Sequence, residues 1–234
     1  MDCTSLKIDD TDILLYRCIY APIKSNMYII INKKEAVVID PNDNSEGLEL
    51  LRKNSIDRIH LLLTHEHYDH AMGINIFRGA FKHVDLFCQK EAAKSIENPR
   101  RNNPMMVAFV LALQDMKDGG HRYDDFKAQY KPFESYADAS FEDACDKNVA
   151  GLRFHFTHTP GHCPGSCCIE LGDYVFTGDS LLENDPVILR FPESKKDEYK
   201  RITLPYLQSL PEGTLVFPGH GDSFVIKNSK YLNI

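Results

Sequence analysis

Three imidazoles and a carboxylate crowd into six consecutive positions at His65, His67, Asp69 and His70, within Thr64-His65-Glu66-His67-Tyr68-Asp69-His70. Imidazole nitrogen and carboxylate oxygen are ligands of zinc and similar borderline metals, and alternate positions of an extended segment can converge on one centre. The competing reading of such a run is a polar helix cap. Three further segments share one form, a strand-like run followed at once by a tight turn bearing a ligand-type residue: Thr159-Pro160-Gly161-His162, Thr177-Gly178-Asp179 and Phe217-Pro218-Gly219-His220. Ligands placed just past strand ends collect at one edge of a layered α/β fold, where clefts lie. Five histidines and two aspartates are too many for one tetrahedral ion and suit two divalent ions sharing a bridging carboxylate.

The elements that must position these residues follow from local pattern. Runs of β-branched and aromatic residues at 13–19, 27–31 and 36–39, with a polar turn at 32–35, read as an opening β-meander. Leu48 and Leu51 stand at helical spacing behind Ser45, a candidate N-cap, and the apolar run 59–63 reads as a buried strand. A short helix at 73–81, a strand at 84–87 and a helix at 90–96 continue the alternation. Residues 98–150 form a partly helical insertion: a loop at 98–103, a helix led by Pro104 through about Lys117, a stop at Gly119-Gly120, and a weakly patterned stretch to Asn148. Strands are expected at 152–157, 167–171, 174–177 and 214–217. Ser194 with Asp197 forms a capping box for a helix through about Leu204 that Pro205 should kink or end. No internal repeat or linker is visible.

Composition narrows the function. The chain has 234 residues, 43% hydrophobic and 26% charged, which is ordinary for a globular protein able to bury a core. Its net charge of −7, without a basic cluster, lacks the footprint that phosphate-backbone binding requires, so no nucleic acid partner is expected. The longest apolar run, Met105 to Leu113, is half the length of a membrane span. The first residues show no basic start and apolar stretch of an export signal, and the expected location is cytoplasmic, with no membrane partner. Seven cysteines at irregular spacing, with no C-x-x-C pair, read as free thiols. His60, His83, His121, His155 and His158 lie outside the ligand pattern and read as structural or exposed. Cys163, beside His162, invites a redox or ligand role that the complete ligand set makes unnecessary.

The motifs His65-x-His67-x-Asp69-His70, Pro160-Gly161-His162, Gly178-Asp179 and Gly219-His220, in that order and at intervals of 92, 17 and 41 residues, resemble those of the metallo-β-lactamase fold superfamily. The resemblance runs from the opening β-meander to Gly221. It implies an α/β fold of the αββα sandwich type in a single domain over 1–234, with metals at the edge between two sheets. It further implies that His65, His67 and His162 hold one ion, that Asp69, His70 and His220 hold the other, and that Asp179 bridges them. Asp40 matches an aspartate that commonly orients a ligand histidine in the superfamily; an Asp-Pro-Asn-Asp turn is the alternative reading.

Within the superfamily, Asp179 stands where the best-known zinc β-lactamases have cysteine, which disfavours antibiotic hydrolysis. The phrases Thr159 to Ser166, Phe176 to Ser180 and Phe217 to Gly221 look most like glyoxalase II-like thioesterases, whose substrates are acyl thioesters such as hydroxyacylglutathione. Two departures stand against glutathione: 14 residues follow His220 where glyoxalase II adds a helical domain, and Leu181 to Pro186 replaces a Gly-Arg segment. The implied chemistry is a water bridging two dications that loses its proton near neutral pH and attacks a carbonyl, with Asp69 and Asp179 as the catalytic carboxylates. Zinc is the expected ion, with iron or manganese as alternatives. The expected partner is a small acyl thioester or related ester. A lactonase, a mononuclear-iron persulfide dioxygenase and, behind them, a nucleic-acid processing hydrolase or a non-catalytic metal-stabilised module are the competing functions. The insertion is read as a lid or as packing over the sandwich, and its apolar run as an acyl pocket, a homodimer contact or core.

Overall fold

The computed structural model describes residues 1–8, 11–102, 104–129 and 131–232. The first sheet holds, in chain order, β1 (Asp2–Ile8), β2 (Thr11–Tyr20), β3 (Ser25–Asn32), β4 (Glu35–Ile39), β5 (Arg58–Leu62), β6 (Val84–Gln89) and β7 (Ala139–Phe141). It is antiparallel as far as β4 and parallel from β4 onward. The second sheet holds β8 (Ala144–Val149), β9 (Leu152–His158), β10 (Cys167–Leu171), β11 (Tyr174–Gly178), β12 (Leu215–Pro218) and β13 (Phe224–Val225), with β11 and β12 as its parallel pair.

Side-chain alternation decides which residue faces which layer. Tyr28, Ile30, Val37 and Ile39 point inward and meet Phe154, Phe156, Ile169, Phe176 and Phe217 of the opposite sheet. Their neighbours Met27, Ile29, Ala36 and Val38 point outward and are covered by α1 (Ser45–Lys53), α3 (Ile74–Ala80) and α4 (Lys90–Ile96) through Leu51, Ile74, Phe77, Ala92 and Ile96. Strands buried on both faces read as continuous apolar runs for this reason. On the far side, α8 (Leu204–Ser209) sets Leu207 against Cys168, Val175 and Val216. The result is the αββα layering that the motifs implied. The insertion contributes α5 (Met105–Asp118) and α6 (Arg122–Gln129), whose Val107, Leu111 and Phe126 pack on Tyr20, Ile23 and Tyr68.

Several local expectations are corrected. Asn44 rather than Ser45 caps α1, its side chain accepting from the Gly47 N–H at 3.2 Å. Ser194 forms no capping box; its hydroxyl donates to the His162 carbonyl at 2.6 Å, and α7 (Lys196–Glu198) starts without a side-chain cap. Pro205 does not end a helix: a π turn over Tyr199–Thr203 leads directly into α8, which holds Pro205 in its first turn. β1, β7, β8, β13 and α6 lie where no element was expected. The loop at 98–103 is present through Asn102, Asn103 lying outside the described residues, and α5 ends as expected at Gly119, which takes φ +74°.

Candidate metal centre

Two parallel strand pairs place the ligand-type residues. Because β4 and β5 run side by side, their ends leave Asp40 against Thr64, with the Asp40 N–H bonded to the Leu62 carbonyl at 2.9 Å. β11 and β12 do the same on the second sheet, bringing Asp179 beside Gly219 and His220, with the Gly219 N–H bonded to the Gly178 carbonyl at 2.8 Å. The sheets are stitched at this edge by Cys167 N–H to the Thr64 carbonyl and Asn26 N–H to the Gly219 carbonyl, both 2.7 Å, and by Tyr28 Oη to the Pro218 carbonyl. His67 then leads into the one-turn helix α2 (Tyr68–Ala71), which turns Asp69 and His70 back toward the same point.

All seven side chains converge. His65, His67, His162 and Asp179 form one group able to hold an ion, and Asp69, His70 and His220 form another, each with ligand atoms within 4.8 Å of one another. Asp179 lies between them, its Oδ2 at 3.6 Å from both His162 Nε2 and His220 Nε2 and its Oδ1 at 3.7 Å from His70 Nε2. Asp69 Oδ2 stands 3.3 Å from the Nε2 atoms of His70 and His220. His65 Nε2 and Asp179 Oδ1 are buried and have no hydrogen-bond partner among the described residues, an arrangement that costs about 1–3 kcal/mol per atom unless something binds there. Nitrogen and carboxylate donors of this kind fit a borderline divalent cation.

The surrounding bonds fix which ring nitrogen faces the centre. Asp40, buried and with φ +55°, accepts from the Thr64 N–H at 2.7 Å, the Thr64 hydroxyl at 2.6 Å and His70 Nδ1 at 3.1 Å. Since the Thr64 hydroxyl donates to Asp40, it accepts from His65 Nδ1–H at 3.0 Å, and His162 Nδ1–H donates to the Ile188 carbonyl at 2.9 Å. In all three rings the Nε2 atom is left to face the cluster. Burial and the imidazoles around it push His65 well below the ordinary histidine value, and burial with His162 pushes His67 down to about 3. Burial lowers His162 as well. These three therefore stand neutral with lone pairs available. Burial opposes charge on His70 and His220 too, but the Asp69 and Asp179 carboxylates outweigh it and raise both. In turn those histidines hold Asp69 and Asp179 below the usual carboxylate range against the pull of burial.

Three contributors carried no sequence signal. Glu66 points away from the cluster, where its carboxylate accepts from the Gly165 N–H at 3.1 and 3.2 Å and from Cys163 Sγ at 3.0 Å, tying the His65-His67 segment to the loop that carries His162. Phe191 sets its ring edge-on to His67 and His162, with centroids 5.4 and 5.8 Å away. Ile188 acts through its backbone carbonyl alone. Cys163 is buried against Glu66 and Ser166, burial raises its pKa, and all seven cysteines are free. Outside the cluster, His60 bonds Asp85 and Glu35, His155 bonds Asp146 and His158 bonds the Pro164 carbonyl.

Comparison with known proteins bears on this arrangement. Residues 20–220 match the family described as the metallo-beta-lactamase superfamily. A probable metallo-hydrolase of Streptococcus pyogenes is 28% identical over 225 residues, spanning 94% of this chain and 88% of its own. A hydroxyacylglutathione hydrolase of Tolumonas auensis is 25% identical over 201 residues, 85% of this chain and 63% of its own. Among solved structures, the BLEG-1 B3 metallo-beta-lactamase superposes with a TM-score of 0.71 at 24% identity, covering 92% of this chain and 95% of that one. TTHA1623, solved in a di-iron-bound form, gives 0.68 at 23% identity, covering 91% and 96%. At these identities the two structures establish the fold.

Proposed function

The chain belongs to the metallo-β-lactamase superfamily, and on that premise we propose that it is a dinuclear metal-dependent hydrolase of acyl thioesters. The observation that carries the proposal is the convergence of His65, His67 and His162 on one side of Asp179 and of Asp69, His70 and His220 on the other. Two divalent cations held there, zinc in our assignment, would lower the pKa of a water and polarise a carbonyl, the chemistry that ester-type hydrolysis needs. Asp179 would be shared between the two groups.

The chain's own residues do the rest. Asp69, charged and close to His70 and His220, is placed to orient the attacking water through its carboxylate. Asp40 through Thr64, and the Ile188 carbonyl, keep His65, His70 and His162 in the tautomers that leave Nε2 free. Phe191 packs its ring edge-on against the His67-His162 pair. A thiolate leaves without protonation, so the absence of a general acid from this reading is consistent with a thioester. The similarity to a hydroxyacylglutathione hydrolase supports that substrate class.

The test is hydrolysis of a short acyl thioester beside an acyl lactone, with oxygen uptake on a persulfide measured on the same preparation. Thioester cleavage well above lactone cleavage is expected. Lactone cleavage alone, or oxygen uptake without hydrolysis, would overturn the assignment.

A further inference from the structure

Helix α5 is apolar on two opposite faces, and among the described residues only one of them is buried in the core. At 100° per residue, Val107 and Leu111 face the core and are buried. On the far side Phe109, Leu113 and Met116 are 58%, 43% and 83% exposed, and Met105 at the start of the same stripe is 67% exposed. No charged residue occurs from Met105 through Gln114. A helix apolar all round is one that something else covers.

The spacing says what kind of surface this is. Met105, Phe109, Ala112 and Met116 follow one another at intervals of 4, 3 and 4, the a/d rhythm of a helix-packing seam, with Leu113 beside it. The seam complements itself when a second α5 runs antiparallel. Met105 then meets the partner's Met116, and bulky Phe109 meets the small Ala112 of the partner, twice by symmetry. Charge agrees with that direction. Arg100 and Arg101 precede the helix, whereas the end of α5 and the first turn of α6 carry Asp115, Asp118, Asp124 and Asp125 against Lys117 and Arg122, a net acidic end. Antiparallel pairing opposes these ends, with Lys117 the one basic residue in the last turn of α5. Three methionines on or beside the stripe, Met105, Met106 and Met116, supply adaptable packing.

We propose that the outer face of α5 is a two-fold interface between copies of this chain, with Phe109 of each seated on the partner's Ala112. One helix pair covers less than the roughly 800 Å² per partner of a standard interface, so the dimer should dissociate on dilution.

Sedimentation and light scattering on the full chain test this. Wild type at about 200 µM, roughly a hundred times the micromolar dissociation constant that we assign to this pair, should show twice the 26.7 kDa chain mass. Phe109→Glu should be monomeric at that concentration and should match the wild-type melting curve at dilutions where both are monomers. Ala112→Phe, which fills the small position opposite Phe109, should weaken self-association at least about tenfold, and the double swap Phe109→Ala/Ala112→Phe should restore it. A monomeric wild type at that concentration, or a Phe109→Glu variant that stays dimeric, would overturn the proposal and leave the stripe to a lid movement or a different partner. Failure of the swap to restore association would overturn the antiparallel register.

Discussion

Substituting Asp40 by Asn should separate metal binding from folding, because one carboxylate serves both. Asp40 Oδ1 accepts from the Thr64 N–H, while Oδ2 accepts from the Thr64 hydroxyl and from His70 Nδ1. In Asp40→Asn the amide oxygen can keep the backbone bond and the amide NH2 replaces Oδ2. The Thr64 hydroxyl can rotate to accept, but His70 can meet an NH2 only with a bare Nδ1, which moves its proton to Nε2. That atom is the one that faces Asp69, Asp179 and His220, and a protonated nitrogen cannot ligate. Asparagine tolerates the left-handed backbone that Asp40 occupies, so the fold should lose little, about 1 kcal/mol. Loss of this kind of support for a ligand typically costs 10–100-fold in affinity, or about 1.4–2.7 kcal/mol of binding. Asp40→Ala is different in kind. It strands up to three buried donors at about 1–3 kcal/mol each and adds about 1 kcal/mol of left-handed strain, so with the Thr64 hydroxyl able to turn away it should cost about 3 kcal/mol or more. Urea unfolding of the metal-free proteins and chelator competition for the ions measure the two effects separately. Wild-type metal affinity in Asp40→Asn would refute the tautomer argument.

Other consequences follow from single contacts. Glu66→Ala leaves the buried Gly165 N–H without its acceptor and should cost about 1–3 kcal/mol in urea unfolding together with weaker metal binding, while Glu66→Gln, which keeps an acceptor, should recover most of both. A Cβ at Gly219 would collide with Asp179 Oδ1 and crowd His70, so Gly219→Ala should lower metal affinity at least about tenfold in the same chelator assay, with a folding cost of about 1–3 kcal/mol. His60, bonded to Asp85 and Glu35 across adjacent strands with Arg58 and Lys147 close to Asp85, has its pKa raised chiefly by the Asp85 hydrogen bond against partial burial. A raised histidine contributes stability that is fully present below about pH 6.5, its unfolded value, and is lost as pH rises through the folded value above it. Urea midpoints measured across that window should therefore fall more steeply in wild type than in His60→Gln, and equal slopes would count against the pairing.

The candidate site was more legible than the scaffold around it. His162, Asp179 and His220 each follow a strand within a Pro-Gly or Gly turn, so ligand type and local geometry are written in the same few residues. Glu66, Ile188 and Phe191 were not legible, since their roles depend on partners about 100, 26 and 30 to 125 residues away, and a backbone carbonyl has no side chain to announce it. Among the strands, β1 buries only Leu6 and Ile8, and β8 runs through exposed Ala144, Asp146 and Asn148, so both read as polar loops until a neighbouring strand pairs with them. Ser45 and Asn44 are both good caps, and only the backbone decided for Asn44. The apolar run in α5 was visible, but which of its faces met the core was a tertiary matter.

The central claim is that Asp179 joins two metal positions into one hydrolytic site. Elemental analysis of the native protein, paired with thioester hydrolysis and repeated on Asp179→Ala, tests it most directly. About two divalent ions per wild-type chain are expected, and in the variant a loss of metal and of hydrolysis with the melting curve of a folded protein. Full metal content and full activity in Asp179→Ala, or a wild-type chain that hydrolyses with a single ion, would contradict it.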